Sequence, residues 1–311
     1  MLPLFKKENN TGVPNWASFF SPYQYNHFIN KIHKYFNQLN ITYTTEDGVV
    51  KIDENKFGFS DLGLSTVAQI CNQEKKRNYK IRIKDHFNSM IESKKFKKKF
   101  DLIVDNFEEV KKYIGVRLYH NTYVEHVGKK ITLGKDLFGD VYGMLVFDLP
   151  YTVVGIEHNQ IKPWGKSFEE LFEIGKQNIK TNYPIKVNPE KFGSFSFIFA
   201  TSDHFFTPNI VFDLDEKPGL VGSKGSIIGL PHRHSILIYP IENLEVADAM
   251  NGLAQATYGM NQEGPGSLTN KLFWYYNNTF TKIPYEFNKE GGLSFKPPAT
   301  FINLLNNLEK A

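Results

Sequence analysis

One cysteine, Cys71, supplies all the thiol chemistry of this 311-residue chain. It cannot close an internal disulfide, which excludes the small disulfide-stapled classes and points to a reducing compartment. Long apolar runs are also missing. The most apolar stretch, Gly143 to Ile156, is cut by Asp148 and Pro150 and falls short of the roughly 20 residues a membrane-crossing helix needs. At the amino terminus only four apolar residues precede Lys6 and Lys7, too few for the apolar centre of a secretory signal, so the expected location is cytoplasmic. No pattern repeats at a fixed period, and no low-complexity linker divides the chain. Arginine is scarce, limited to Arg77, Arg82, Arg117 and Arg233. Lysine therefore carries nearly all the positive charge, which argues against bidentate reading of bases or phosphates, the work of a planar guanidinium.

The residues present describe a globular protein with material for one or two cores: 41% are hydrophobic, 23% charged and 15% aromatic. The net charge of +4 conceals an asymmetry. Lys75 to Lys99 holds eleven Lys or Arg residues against Asp85 and Glu92, a local balance of +9 that leaves −5 for the remainder. Such a segment attracts phosphate, an acidic protein or an anionic surface, with binding that weakens as salt rises. It can also be a solvated lysine-rich helix.

Ser21-Pro22 followed by Tyr25, Phe28, Ile29, Ile32, Tyr35, Phe36 and Leu39 predicts a capped helix over 22–39. Runs 41–44 and 49–52 flank Asp47-Gly48 and predict a hairpin, with Phe57-Gly58-Phe59 as a third strand. Residues 62–74 predict a helix with Leu64, Val67, Ala68 and Cys71 on its buried face, and a further helix runs from about Phe87 to Phe107. Beyond Tyr113 the period shortens to two. Strands are expected at 114–119, 144–147, 151–156, 195–200, 210–212, 227–230 and 236–239, and a hairpin at 271–276 and 280–284. Helices are expected at 167–182, opened by a Ser167–Glu170 capping box, at 243–258 capped by Asn243, and at 300–309. The fold class is α+β, with amino-terminal helices and a hairpin over 1–113 and a carboxy-terminal mixed β-sheet flanked by helices over 114–311.

Two stretches carry a resemblance. Asp148-Leu-Pro-Tyr-Thr-Val-Val, Trp164-Gly-Lys-Ser-Phe-Glu-Glu-Leu-Phe and Gln177-Asn-Ile, with Leu230-Pro-His-Arg-His-Ser-Ile-Leu-Ile and Glu263-Gly-Pro-Gly-Ser-Leu-Thr, are similar to the signature of the YtpQ-like family of uncharacterised bacterial proteins. The resemblance covers roughly residues 140–285. It departs at His234, where that family has an aspartate, and at 213–225, which lacks an apolar helix. It implies an α+β organisation and a bacterial cytoplasmic origin, and transfers no catalytic residue. Physically, Trp164 is expected to wedge a helix against the sheet, and Gly264-Pro265-Gly266 to break one element before the next.

Chemistry-bearing constellations are few. His232 and His234 are two apart, so on a strand their imidazoles share a face, and with His204 they would make a three-imidazole metal site. The plainer reading is a His-Arg-His turn entering a strand. Gly222 to Ser226 lacks the Gly-Lys-Ser/Thr ending of a phosphate loop. Asp213, Asp215 and Glu216 make an acidic turn that a cation would suit. The leading expectation is a non-enzymatic binding or interaction protein of a bacterial accessory, regulatory or toxin-neutralising kind, without cofactor. A protein partner comes first, and an anionic ligand or nucleic acid second, met through Lys94, Lys95, Lys97, Lys98 and Lys99. The alternative is a metal-assisted hydrolase or lyase centred on His204, His232 and His234.

Overall fold

The computed structural model describes residues 12–52, 57, 59–129, 131–193, 195–287 and 292–308; Lys6, Lys7, Gly58 and Glu309 lie outside them. The fold is α+β, as expected. The chain divides into two compact units, Met1–Val104 with Leu149–Val153, and Asp105–Asp148 with Val154–Ala311.

The first unit opens with α1 (Pro22–Gln38), whose entry is the capping box Ser21–Gln24. Strands β1 (Tyr43–Glu46) and β2 (Val49–Ile52) pair antiparallel across Asp47 and Gly48. Both turn residues have positive φ, 44° and 75°, the geometry that makes an Asp-Gly pair favour a tight hairpin. The third strand is β3 (Asp61–Gly63), paired to β2; Phe57 and Phe59 are not in a strand, and Phe57 is a fully buried core ring. Helix α2 (Ser65–Asn72) starts three residues later than expected because Leu62 and Gly63 belong to that strand. Helix α3 (Tyr79–Phe100) starts eight residues before Phe87. Its first buried stripe, Tyr79, Ile83 and Phe87, keeps the i, i+4 spacing of a helix face, but basic side chains between those positions mask the pattern. Phe20, Phe28, Ile32, Phe36, Cys71 and Phe87 share one core.

The second unit begins with the single turn α4 (Phe107–Val110) and β4 (Ile114–His120). Then come α5 (Asn121–Val127), β5 (Gly134–Phe138), β6 (Val141–Leu149), β7 (Thr152–Gly155) and α6 (Phe168–Asn182). The order β4-β6-β5, with β7 pairing β6, makes one antiparallel sheet. Helix α6 lies against β4 by a glycine contact: a Cβ on Gly175 would stand 2.9 Å from the Gly115 carbonyl carbon. Asn178 Nδ2 donates to the Lys111 and Ile114 carbonyls at 2.7 and 2.8 Å. Trp164 is buried, with Phe147 of β6 at 5.9 Å and Phe107 at 6.0 Å between ring centres, so it packs as a wedge.

The larger sheet is built from β8 (Asn188–Phe192), β9 (Phe195–Thr201), β10 (Ser226–His232) and β11 (Ser235–Pro240). After α7 (Val246–Glu263) come β12 (Leu272–Tyr276) and β13 (Thr279–Ile283). Its order is β13-β12-β10-β11-β9-β8, antiparallel throughout. A small ribbon of β14 (Tyr285–Phe287) and β15 (Leu293–Phe295) precedes α8 (Ala299–Asn306). Residues 210–212 are not a strand: Thr207–Phe212 winds into a 3-10 helix with Pro208 in its first turn, where the missing N–H costs nothing. Helix α7 starts at Val246 rather than Asn243 and runs to Glu263, because Asn243 Oδ1 accepts the Glu245 amide and holds a preceding turn.

Candidate functional site

In the first unit, α1 and α3 enclose a groove of about 580 Å³. Lys31 and Lys34 line it from α1, and Lys80 and Lys84 from α3. The spacings of three and four put each pair on one helix face. At the floor, the Tyr35 hydroxyl donates to Asn88 Oδ1 at 3.0 Å, beside Ile83 and Leu39. Among the described residues none of these four lysines has an ion-pair partner. Like charges at this spacing repel by a few tenths of a kcal/mol, so the arrangement is not there for helix stability.

The lysines singled out from sequence sit at the other end of α3. Lys95 pairs with Glu92 at 2.7 Å and Lys97 with Asp101 at 2.8 Å. Lys98 and Lys99 are exposed, and Lys94 is half-buried. The basic segment legible in the sequence lies on α3, whereas the groove also takes Lys31 and Lys34 from α1, an element whose basic residues are outnumbered by apolar ones.

In the second unit the histidines meet at the tip of the β10–β11 hairpin, where His232 pairs with Ser235 and Arg233 and His234 form the link. Gly264 and Gly266 make room for this tip. A Cβ on Gly264 would stand 2.1 Å from His232 Cδ2, and one on Gly266 would stand 2.6 Å from Arg233 Cδ. The Arg233 amide donates to the Gly266 carbonyl at 3.1 Å. His232 is 7% exposed; burial, then the charges of its neighbours, pulls its pKa down to about 4. Burial and the Arg233 charge bring His234 to about 4 as well.

Both nitrogens of His234 are engaged, Nδ1 with the Ser202 carbonyl at 3.1 Å and Nε2 as acceptor of Arg233 Nε–H at 3.2 Å. His204 Nδ1 accepts the Phe206 amide at 3.2 Å, and its ring packs on Tyr183, 4.8 Å away. The bonds to His234 Nε2 and His204 Nδ1 occupy lone pairs that a metal would need. Among the described residues no group of three or more His, Cys, Asp or Glu side chains is placed to hold a metal ion.

Other features resolve locally. The acidic turn is answered from within, since Lys180 Nζ lies 3.0 Å from Asp213 and 2.5 Å from Glu216, and the Tyr275 hydroxyl donates to Asp215. In the 222–226 loop the Ser223 amide donates to Glu242 Oε1 at 3.0 Å, placing a carboxylate where a phosphate loop needs open amides. Cys71 is fully buried, and desolvation pushes its thiol up to about 12, the opposite of an activated nucleophile. No helix among the described residues is long and apolar enough to cross a membrane.

Compared with protein-family models, with curated proteins and with solved structures, the chain finds no match in any of the three.

Proposed function

We propose that the protein is a non-enzymatic binding protein that captures an acidic segment of a partner protein in the groove between α1 and α3. The observation that carries this reading is the ring of Lys31, Lys34, Lys80 and Lys84 around a cavity of about 580 Å³ with no acid partner among the described residues. An apolar floor with a lysine rim suits an amphipathic acidic peptide, whose carboxylates meet the ammonium groups while its apolar side chains cover Ile83 and Leu39. Lysine, a strongly hydrated point charge, recognises charge density rather than planar geometry. Lys98 and Lys99 extend the positive field along α3 without lining the groove. Membership of the YtpQ-like family belongs to the same proposal. It is supported by the work its motif residues do here: Asn178 pins α6, Trp164 wedges β6, and Gly264 and Gly266 cradle the His232–Arg233 tip.

The test is fluorescence anisotropy with a labelled glutamate-rich peptide containing leucines, and in parallel with a labelled oligothymidylate. The expected result is salt-sensitive peptide binding that falls at least tenfold in the K31Q/K34Q/K80Q/K84Q variant. Preferential binding of the oligonucleotide would move the partner to nucleic acid. Unchanged peptide affinity in the variant would overturn the groove as the site.

A further inference from the structure

Two of the four arginines in the chain meet at one aromatic ring in the second unit. Arg117, on β4, places its guanidinium carbon 5.2 Å from the Phe205 ring centre, and Arg233, at the hairpin tip, places its own 4.5 Å from the same centre. Arg117 also lies over Tyr119 at 4.7 Å, and Tyr119 stacks on Tyr123 at 4.7 Å with 13° between the planes. Among the described residues neither arginine forms an ion pair. Among the described residues Arg117 Nε is buried without a hydrogen-bond partner, and the Arg233 side chain bonds only from Nε to His234. Asp148 feels the charge of Arg117 but forms no ion pair with it; its Oδ2 accepts the Tyr183 hydroxyl at 2.7 Å. Two half-buried guanidinium groups therefore share a neighbourhood in which, among the described residues, no carboxylate pairs with either of them directly, Asp148 acting on Arg117 only at a distance.

We infer that Arg117 and Arg233 form a binding site for a small oxyanion, a carboxylate or phosphate, seated beside Phe205 and the Tyr119–Tyr123 stack. A planar fork with open N–H donors is the group best matched to such oxygens. The rings hold the forks in place by cation–π contact, and Gly266 leaves the Arg233 stem the space to reach Phe205. The neutral His234 ring fixes the orientation of Arg233 by accepting its Nε–H. An unpaired guanidinium beside another is costly in the free protein: burial, then the charge of Arg117, pulls the Arg233 pKa down to about 10. An anion removes that cost on binding, which is how a site can be built at the expense of stability. The arrangement is independent of the lysine groove, which belongs to the other unit.

The experiment is thermal denaturation and isothermal titration calorimetry of the full chain with inorganic phosphate and with succinate, each against sodium chloride at matched ionic strength. One anion is expected to raise Tm by roughly 5–10 °C at about 100 times its Kd. A phosphate response identifies a single bridging oxyanion, and a succinate response a ligand that spans the two forks. R117M and R233M should lose the response while melting at or above the wild-type temperature in chloride, since each removes an unanswered charge but keeps the stem. If either fails to fold, R117K and R233K replace them, expected to keep the charge but bind at least tenfold more weakly. K31Q/K34Q/K80Q/K84Q should respond as wild type, which separates this site from the groove. The inference is overturned if neither anion exceeds chloride in the wild type, or if the arginine variants respond equally.

Discussion

Gly264 has an ordinary φ of −79°, so an alanine there suffers no backbone strain, and its cost is steric. The new Cβ would stand 2.1 Å from the His232 ring, forcing the hairpin tip to move at a cost of about 1–3 kcal/mol. Gly259, inside the helix that Gly264 caps, has nothing within 4 Å of a built Cβ. There alanine should instead stabilise by about 0.5–1 kcal/mol through helix propensity. Urea midpoints of G264A and G259A should therefore move in opposite directions; a parallel shift would remove the cradle from the account. The same tip predicts a pH dependence. Burial holds the folded pKa values of His232 and His234 near 4, against the ordinary imidazole value of 6.5, so the unfolded chain binds protons first. The stability this confers is complete above about pH 6.5 and is lost as pH falls toward 4. The loss is at most about 2 kcal/mol per imidazole between pH 8 and pH 5, and burial that raises the Asp148 carboxyl opposes it. H234Q should flatten the urea-denaturation profile over that window. Little of this was legible in the sequence. His232 and His234 stood out by spacing alone, whereas Arg117 and Phe205 come from separate elements that only the folded chain brings to Arg233. The scarcity of arginine concealed that two of them converge.

Elements whose signals are local were readable, and those set by distant contacts were not. Helices α1 and α6 announce themselves through capping boxes, and the β12–β13 hairpin through Asn277-Asn278, both at positive φ. Strands β5 and β8 carried no signal: both are largely exposed or irregular in pattern and owe their form to β6 and β9. The 3-10 turn at Thr207–Phe212 looks like a strand in the sequence because Ile210-Val211-Phe212 is an apolar run. What decides it is the Asn209 side chain, whose Nδ2 donates to the Val116 carbonyl at 2.8 Å. The seating of α6 gives a test at this scale. Its contact with β4 runs through Gly175 and Gly115, and G175A would push the helix off the strand at 2.9 Å. The expected loss is about 1–3 kcal/mol, read from the urea midpoint, with the Trp164 environment as a second probe. A loss no larger than that of a surface substitution, about 0.5 kcal/mol, would mean that the helix settles without the glycine contact.

Across the whole molecule the charge is divided between the two units. Residues 1–104 with 149–153 carry seventeen Lys or Arg against ten Asp or Glu, a balance of +7, and the rest of the chain carries −3. A field of this kind acts at a distance and so affects the rate of encounter, while contacts in the groove govern how long a partner stays. Changing Lys94, Lys95, Lys97, Lys98 and Lys99 to glutamate turns the first unit from +7 to −3 without touching the groove lining. Phe96 and Phe100 must be kept, because Phe100 is buried and stacks with Phe96 at 6.3 Å. In stopped-flow experiments with the acidic peptide, the charge-reversed protein should associate at least tenfold more slowly at low salt and dissociate at the wild-type rate. The association rates should converge as salt shortens the Debye length from about 10 Å at 0.1 M toward about 3 Å at 1 M. A change confined to dissociation would mean that these lysines touch the partner, and no change in either rate would leave them as a solvated face, with the groove lysines alone directing the encounter.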